Sequence, residues 1–132
     1  MAALNPIILF SSKCKPLLRQ IQPIKNLNWI ECSDTQRLER EASRINGVAA
    51  IVLDDGSVLD DGELISRLLA QQPAAGAMVL CGPDSPLMGS DTPNQIVASS
   101  VNPDQFNSSL ANCIKRFRAE EAADIRDRLA RR

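Results

Sequence analysis

The residues able to do chemistry gather in one stretch, "GVAAIVLDDGSVLDDGE" (residues 47–63), which holds two acidic pairs, Asp54–Asp55 and Asp60–Asp61, each followed by glycine. An apolar run feeds the first pair and a helical pattern follows the second. Carboxylates at the end of a strand can hold Mg²⁺ or accept a phosphoryl group. They can equally bond loop amides or cap the next helix, a role that suits Asp60. Asp-Gly between apolar triplets also fits a β-hairpin. A calcium loop is not expected, because Val58 and Leu59 fall where it needs an oxygen ligand and glycine. A second chemical candidate is Cys14, just past the first apolar run, where a helix N-terminus lowers a thiol pKa. Ser11 and Ser12 beside it offer hydroxyls to an anion, but "SSKCKP" has no glycine or arginine to complete an anion loop.

Composition removes several classes. The chain has no histidine, which excludes His-based acid–base chemistry and both Ser-His-Asp and Cys-His nucleophilic sites. The four cysteines, Cys14, Cys32, Cys81 and Cys113, are scattered without the paired spacing of a zinc site, so no metal or other cofactor is expected. A net charge of −1 gives no case for nucleic acid, although Lys and Arg outnumber Asp and Glu from Lys115 onward. A length of 132 residues suits one domain with a self-sufficient core. No apolar run approaches the roughly 20 residues of a membrane helix. "MAALNPIILF" lacks a basic n-region and a small-residue cleavage site, so the expected setting is cytoplasmic with reduced thiols.

The elements that position these residues alternate along the chain. Continuous apolar runs predict strands at residues 6–10, 28–32, 48–53, 77–81 and 95–99, those buried on both faces having no polar alternation. Helical spacing joins Leu17, Leu18, Ile21 and Ile24, with Pro16 in the first turn and Pro23 ending or kinking the helix. "SDTQRLEREASRINGV" predicts a helix with Ser33 and Gln36 as a capping box, Leu38, Ala42 and Ile45 facing inward, and Gly47 past its end. Asp60 caps a helix carrying Leu64, Ile65, Leu68 and Leu69. The last helix opens at Asn102–Pro103, carries Phe106, Leu110, Ile114 and Phe117, and can continue through Ile125 and Leu129. Between Cys81 and Gln95, "GPDSPLMGSDTPN" has three prolines and two glycines, so a fourth helix is short or missing. Strand–helix alternation predicts an α/β fold, a doubly wound, five-stranded parallel sheet of flavodoxin or (βα)5 type.

With that order, the chain resembles the receiver domain of two-component response regulators over residues 6–118. Receivers carry a phosphoacceptor Asp at the end of strand three and an Asp-Gly seven and eight residues later; Asp54 and Asp61–Gly62 stand at those offsets. The resemblance also implies positions that are degenerate here. The acidic pair after strand one, which holds Mg²⁺ in receivers, is replaced by Ser11 and Ser12. The Thr or Ser ending strand four is Cys81, a weak donor. The Lys ending strand five is Ser99, which removes the charge that pairs with phosphoryl oxygens.

The resulting expectation is a pseudo-receiver (residues 1–118) followed by a charged helical extension or linker (119–132) toward an output domain. It would be a non-catalytic bacterial signalling module acting by protein–protein contact, independent of phosphorylation. Its expected surface comprises Pro83, Leu87, Met88, Val101, Phe106, Phe117, Ile125 and Leu129, with homodimerisation through the last helix. Two alternatives stay open: a receiver that accepts phosphate on Asp54, and a phosphocarrier or redox protein that uses Cys14.

Overall fold

A computed structural model describes residues 6–21, 27–45, 47–81, 95–99 and 103–130. The side chains of Leu17, Gln20, Ile21, Cys81, residues 95–99, Pro103, Gln105, Glu121, Asp124, Ile125 and Arg128 lie outside that description. Strand β1 (Ile7–Ser11) leads through a 3₁₀ turn (Ser12–Cys14) into α1 (Lys15–Ile21). Then come β2 (Asn28–Cys32), α2 (Thr35–Arg44), β3 (Val48–Asp54), α3 (Asp55–Asp60) and α4 (Leu64–Gln71). The last elements are β4 (Gly76–Cys81), β5 (Gln95–Ser99) and the 28-residue α5 (Pro103–Ala130).

The strands form one parallel sheet in the order β2-β1-β3-β4-β5, the doubly wound arrangement expected from the sequence. Its most apolar strand, β3, lies at the centre, and Val48 through Leu53 are fully buried. Because successive side chains point to opposite faces, Ala50 and Val52 pack under α1 and α5 with Phe10, Leu18, Phe106, Leu110 and Ile114. Ile51 and Leu53 pack under α2 and α4 with Leu38, Ala42, Leu64 and Leu68.

Three local expectations are corrected. Asp34, not Ser33, caps α2, its carboxylate accepting the Arg37 N–H at 2.8 Å; both neighbours carry an oxygen, and Asp34 is the one with the helix's third N–H in reach, on the extended backbone of a cap. Asp60 does not open a helix. It closes the extra six-residue turn α3, and α4 begins at Leu64. That turn, with β3 paired in parallel to β4, also rules out a hairpin at Asp55–Gly56. At the other end of α2, Gly47 adopts φ 90°, a left-handed conformation that glycine reaches without strain. Gln72 Nε2 then donates to the Ala42 and Ile45 carbonyls, each at 2.6 Å, tying the end of α4 to the end of α2.

On the other face, α5 approaches β4 closely. A Cβ added at Gly76 would lie 2.5 Å from Cys113 Sγ, and Arg116 Nη2 donates to the Ala75 carbonyl at 2.7 Å. Past Phe117 the helix leaves the core: Arg118, Ala119, Glu120, Ala122, Ala123, Arg126, Asp127 and Ala130 are exposed, as is Leu129. The predicted loop of residues 82–94 lies outside the described residues.

Candidate functional site

Three chain segments meet at the C-terminal edge of the sheet between β1 and β3, the point where strand order reverses and where open α/β sheets place their ligands. Asp54 is the last residue of β3 and the N-cap of α3. Its Oδ2 accepts the Ser57 N–H at 3.0 Å, and its Oδ1 accepts the Ser57 hydroxyl at 2.8 Å. Both carboxylate oxygens are thus engaged by a residue three positions ahead, as a helix cap requires. Burial alone would raise the Asp54 carboxyl. Hydrogen bonds from the Ser57 and Ser11 hydroxyls and from the Ser57 N–H outweigh it, and the group sits below the usual aspartate value.

Ser11 ends β1 as a buried residue, and its hydroxyl also accepts the Lys13 N–H at 3.3 Å, which starts the 3₁₀ turn. The Ser12 hydroxyl points to a different neighbour, donating to the Ser33 carbonyl at 3.4 Å. Two serines therefore stand where receivers hold Mg²⁺ with acids, and only one of them reaches Asp54. Mg²⁺ prefers carboxylate and phosphate oxygens in near-ideal octahedral geometry. This donor set does not fit the ion: two hydroxyls and one carboxylate already committed to Ser57.

Asp61 lies between the two helices. It accepts the Glu63 N–H at 3.1 Å and a bidentate contact from Arg67, whose Nε also reaches Glu39 Oε1 at 2.5 Å. The Arg67 guanidinium, with the Glu63 N–H, holds the Asp61 carboxyl below its ordinary value. Asp61 thus anchors Arg67, and it is Arg67 that ties α4 to Glu39 of α2. Among the described residues, no three His, Cys, Asp or Glu side chains converge as a metal-binding group.

Cys14 is corrected most sharply. It is fully buried, and burial, then the charges of Asp54 and Asp55, push its thiol up to about 12. A thiol so placed stays protonated near neutral pH and is no nucleophile. Cys81 and Ser99 end β4 and β5 as paired register partners, so their backbones reach the same sheet edge as Asp54.

Of the expected interaction surface, Phe106 is fully buried and belongs to the core. Phe117 is half-buried against that core, whereas Leu129 is 59% exposed. Pro83, Leu87, Met88 and Val101 lie outside the described residues, as does the Ile125 side chain. The sequence reading missed Ser57, although Asp54-x-x-Ser57 has the spacing of an N-cap and the third residue of a helix.

No family model matches this chain, and no curated protein is similar to it. Solved structures are similar in fold. An adenylate cyclase from Rhodopirellula baltica superposes over 98% of this chain and 99% of its own, at 14% identity and a TM-score of 0.70. The signal receiver domain of an HD domain-containing protein from Pseudomonas fluorescens Pf-5 covers 92% and 97%, at 19% identity and TM-score 0.67. A response regulator receiver protein from Sinorhizobium medicae WSM419 covers 84% and 95%, at 9% identity and TM-score 0.65. At such identities the likeness is one of fold: the chain has the receiver-like, flavodoxin-type α/β architecture.

Proposed function

We propose that this chain is a non-catalytic, receiver-like signalling module that regulates through protein contacts without phosphotransfer at Asp54. The observation that carries the reading is the double engagement of Asp54 by Ser57. A phosphoacceptor must present a free oxygen to the incoming group. Here both oxygens hold the first turn of α3. Catalysis of phosphoryl transfer rests on positioning and on charge stabilisation by metal and cation. Ser11 and Ser12 supply neither.

In this reading the module is cytoplasmic and bacterial, a relative of two-component receivers that kept the scaffold. The exposed turns of α5 after Phe117 serve as a connector toward an output domain or a second copy. Leu129, a large apolar side chain left in solvent, supports that role. A surface rebuilt from residues 82–94, β5 and α5 completes the contact face.

Beryllofluoride with Mg²⁺ tests this by amide NMR. The expected result is no shift at Asp54, Asp55 or Ser57. Saturable shifts there, absent in Asp54→Asn, would establish the competing reading of a phosphoaccepting receiver.

A further inference from the structure

The flank where α1 meets β2 takes no part in the Asp54 site and has a different character. Helix α1 is described over Lys15–Ile21, and β2 is an edge strand. Trp29 faces the same side of the sheet as Phe10 and is half-buried. An open depression of about 270 Å³ is lined by Phe10, Lys15, Leu18, Arg19 and Trp29. Phe10 and Leu18 are nearly buried, and Phe10 meets Trp29 edge-to-face with ring centroids 5.9 Å apart. The chain has three Phe, one Trp and no Tyr, so half its aromatic residues stand at this one spot.

The rim is cationic. Lys15 Nζ lies 3.2 Å from Glu31 Oε1, which answers one charge. Among the described residues no acid pairs with the exposed Arg19. An aromatic wall next to an unanswered arginine has the composition of an interface centre, where Trp and Arg supply most of the binding energy. The volume falls below the roughly 300–1,000 Å³ of small-molecule pockets, which favours an anchoring side chain over a whole ligand. The depression also lies between a helix and a half-covered strand, a setting that one more packed helix would complete.

We propose that this groove docks an acidic amphipathic helix of a protein partner, seating one large apolar side chain against Trp29 and a carboxylate on Arg19. The proposal deepens the contact-regulator reading by naming a partner chemistry. It does not depend on Asp54, so phosphorylation there would sink the earlier reading and leave this one standing.

The test is a displayed library of amphipathic helices, randomised in flanking charge and selected on the full chain. Selected peptides should be acidic and should saturably blue-shift the emission of Trp29, the chain's single tryptophan. Arg19→Glu, a change at an exposed position, should weaken them at least tenfold, and charge-reversed peptides should recover that loss. The proposal is overturned if no helix is selected, if basic or neutral helices win, or if Arg19→Glu leaves affinity unchanged. It also fails if peptides bind without changing Trp29 emission. A shift with protein concentration alone would assign the groove to a second copy, and a shift with phosphatidylglycerol vesicles alone would assign it to a bilayer; either result also overturns it.

Discussion

The C-terminal edge at Asp54 and the flank at Trp29 lie on one small sheet and are built in opposite ways. At the edge, the groups that could act on a ligand are turned inward: Asp54 onto Ser57, Ser11 onto the turn it starts, Asp61 onto Arg67, Cys14 into the core. At the flank, apolar and cationic groups of α1 and of the edge strand β2 are left lining an open depression. The position rich in reactive groups serves the fold, whereas a position without them has the makings of a binding surface. Residue types alone would rank the two the other way round.

The largest effect that can break this contrast concerns Cys14. A thiol raised from 9.0 to about 12 holds roughly a thousandfold less thiolate at neutral pH. The greater nucleophilicity of such a thiolate offsets part of that loss, and blocked access adds to it, so its reaction with a disulfide reagent should be slower than that of a free thiol by well over tenfold. Native-state labelling at free-thiol speed would show the edge to be open.

Next in size, Phe10→Ala should cost about 3–5 kcal/mol in urea unfolding, as expected for a buried aromatic. Trp29→Ala, at a half-buried position, should cost clearly less. Equal losses would make Trp29 part of the core and remove the distinction between the floor and the wall of the groove.

Asp54→Ala should cost about 0.5–2 kcal/mol by removing the α3 cap, while Asp54→Asn should cost less, since asparagine caps nearly as well. Acid sharpens the point. The folded Asp54 carboxyl titrates below its unfolded value, so its contribution is full above the unfolded value and fades as pH falls through the folded one. Wild type should therefore lose more stability than Asp54→Asn when unfolding is followed from about pH 5 downward. Parallel pH profiles would mean that the bonds to Ser57 do not stabilise the charged form.

The smallest effect lies at Gly56, where an added Cβ would sit 3.3 Å from Asp54 Oδ2. Glycine to alanine in a helix ordinarily gains roughly 0.5–1 kcal/mol. With Asp54 locked, Gly56→Ala should gain nothing or lose slightly. A full gain in melting experiments would show a carboxylate free to step aside.

The sheet was largely legible because the continuous apolar runs of its central strands leave little choice of element: β3 gains only Asp54 and β4 only Gly76, and the weaker, partly polar β2 and β5 segments also match the observed bounds. The edge was harder to read for a physical reason. Two glycines and five acids from Asp54 to Glu63 carry turn and cap signals at once, so the extra turn α3 was hidden behind the helix that follows it. The groove was not legible at all. It depends on how Trp29 of an edge strand meets the side chains of α1, a relation across 10 or more residues of chain that helical spacing does not encode; the expected continuation through Pro23 and Ile24 lies outside the described residues. Phe106 shows the same limit: its helix was predicted, but its burial depends on how α5 lies across the sheet.

The central claim is that Asp54 is a cap and not an acceptor. Intact mass after incubation with acetyl phosphate and Mg²⁺ tests it most directly. An unchanged mass is the result expected of wild type. A stoichiometric phosphoryl adduct that disappears in Asp54→Asn would contradict it.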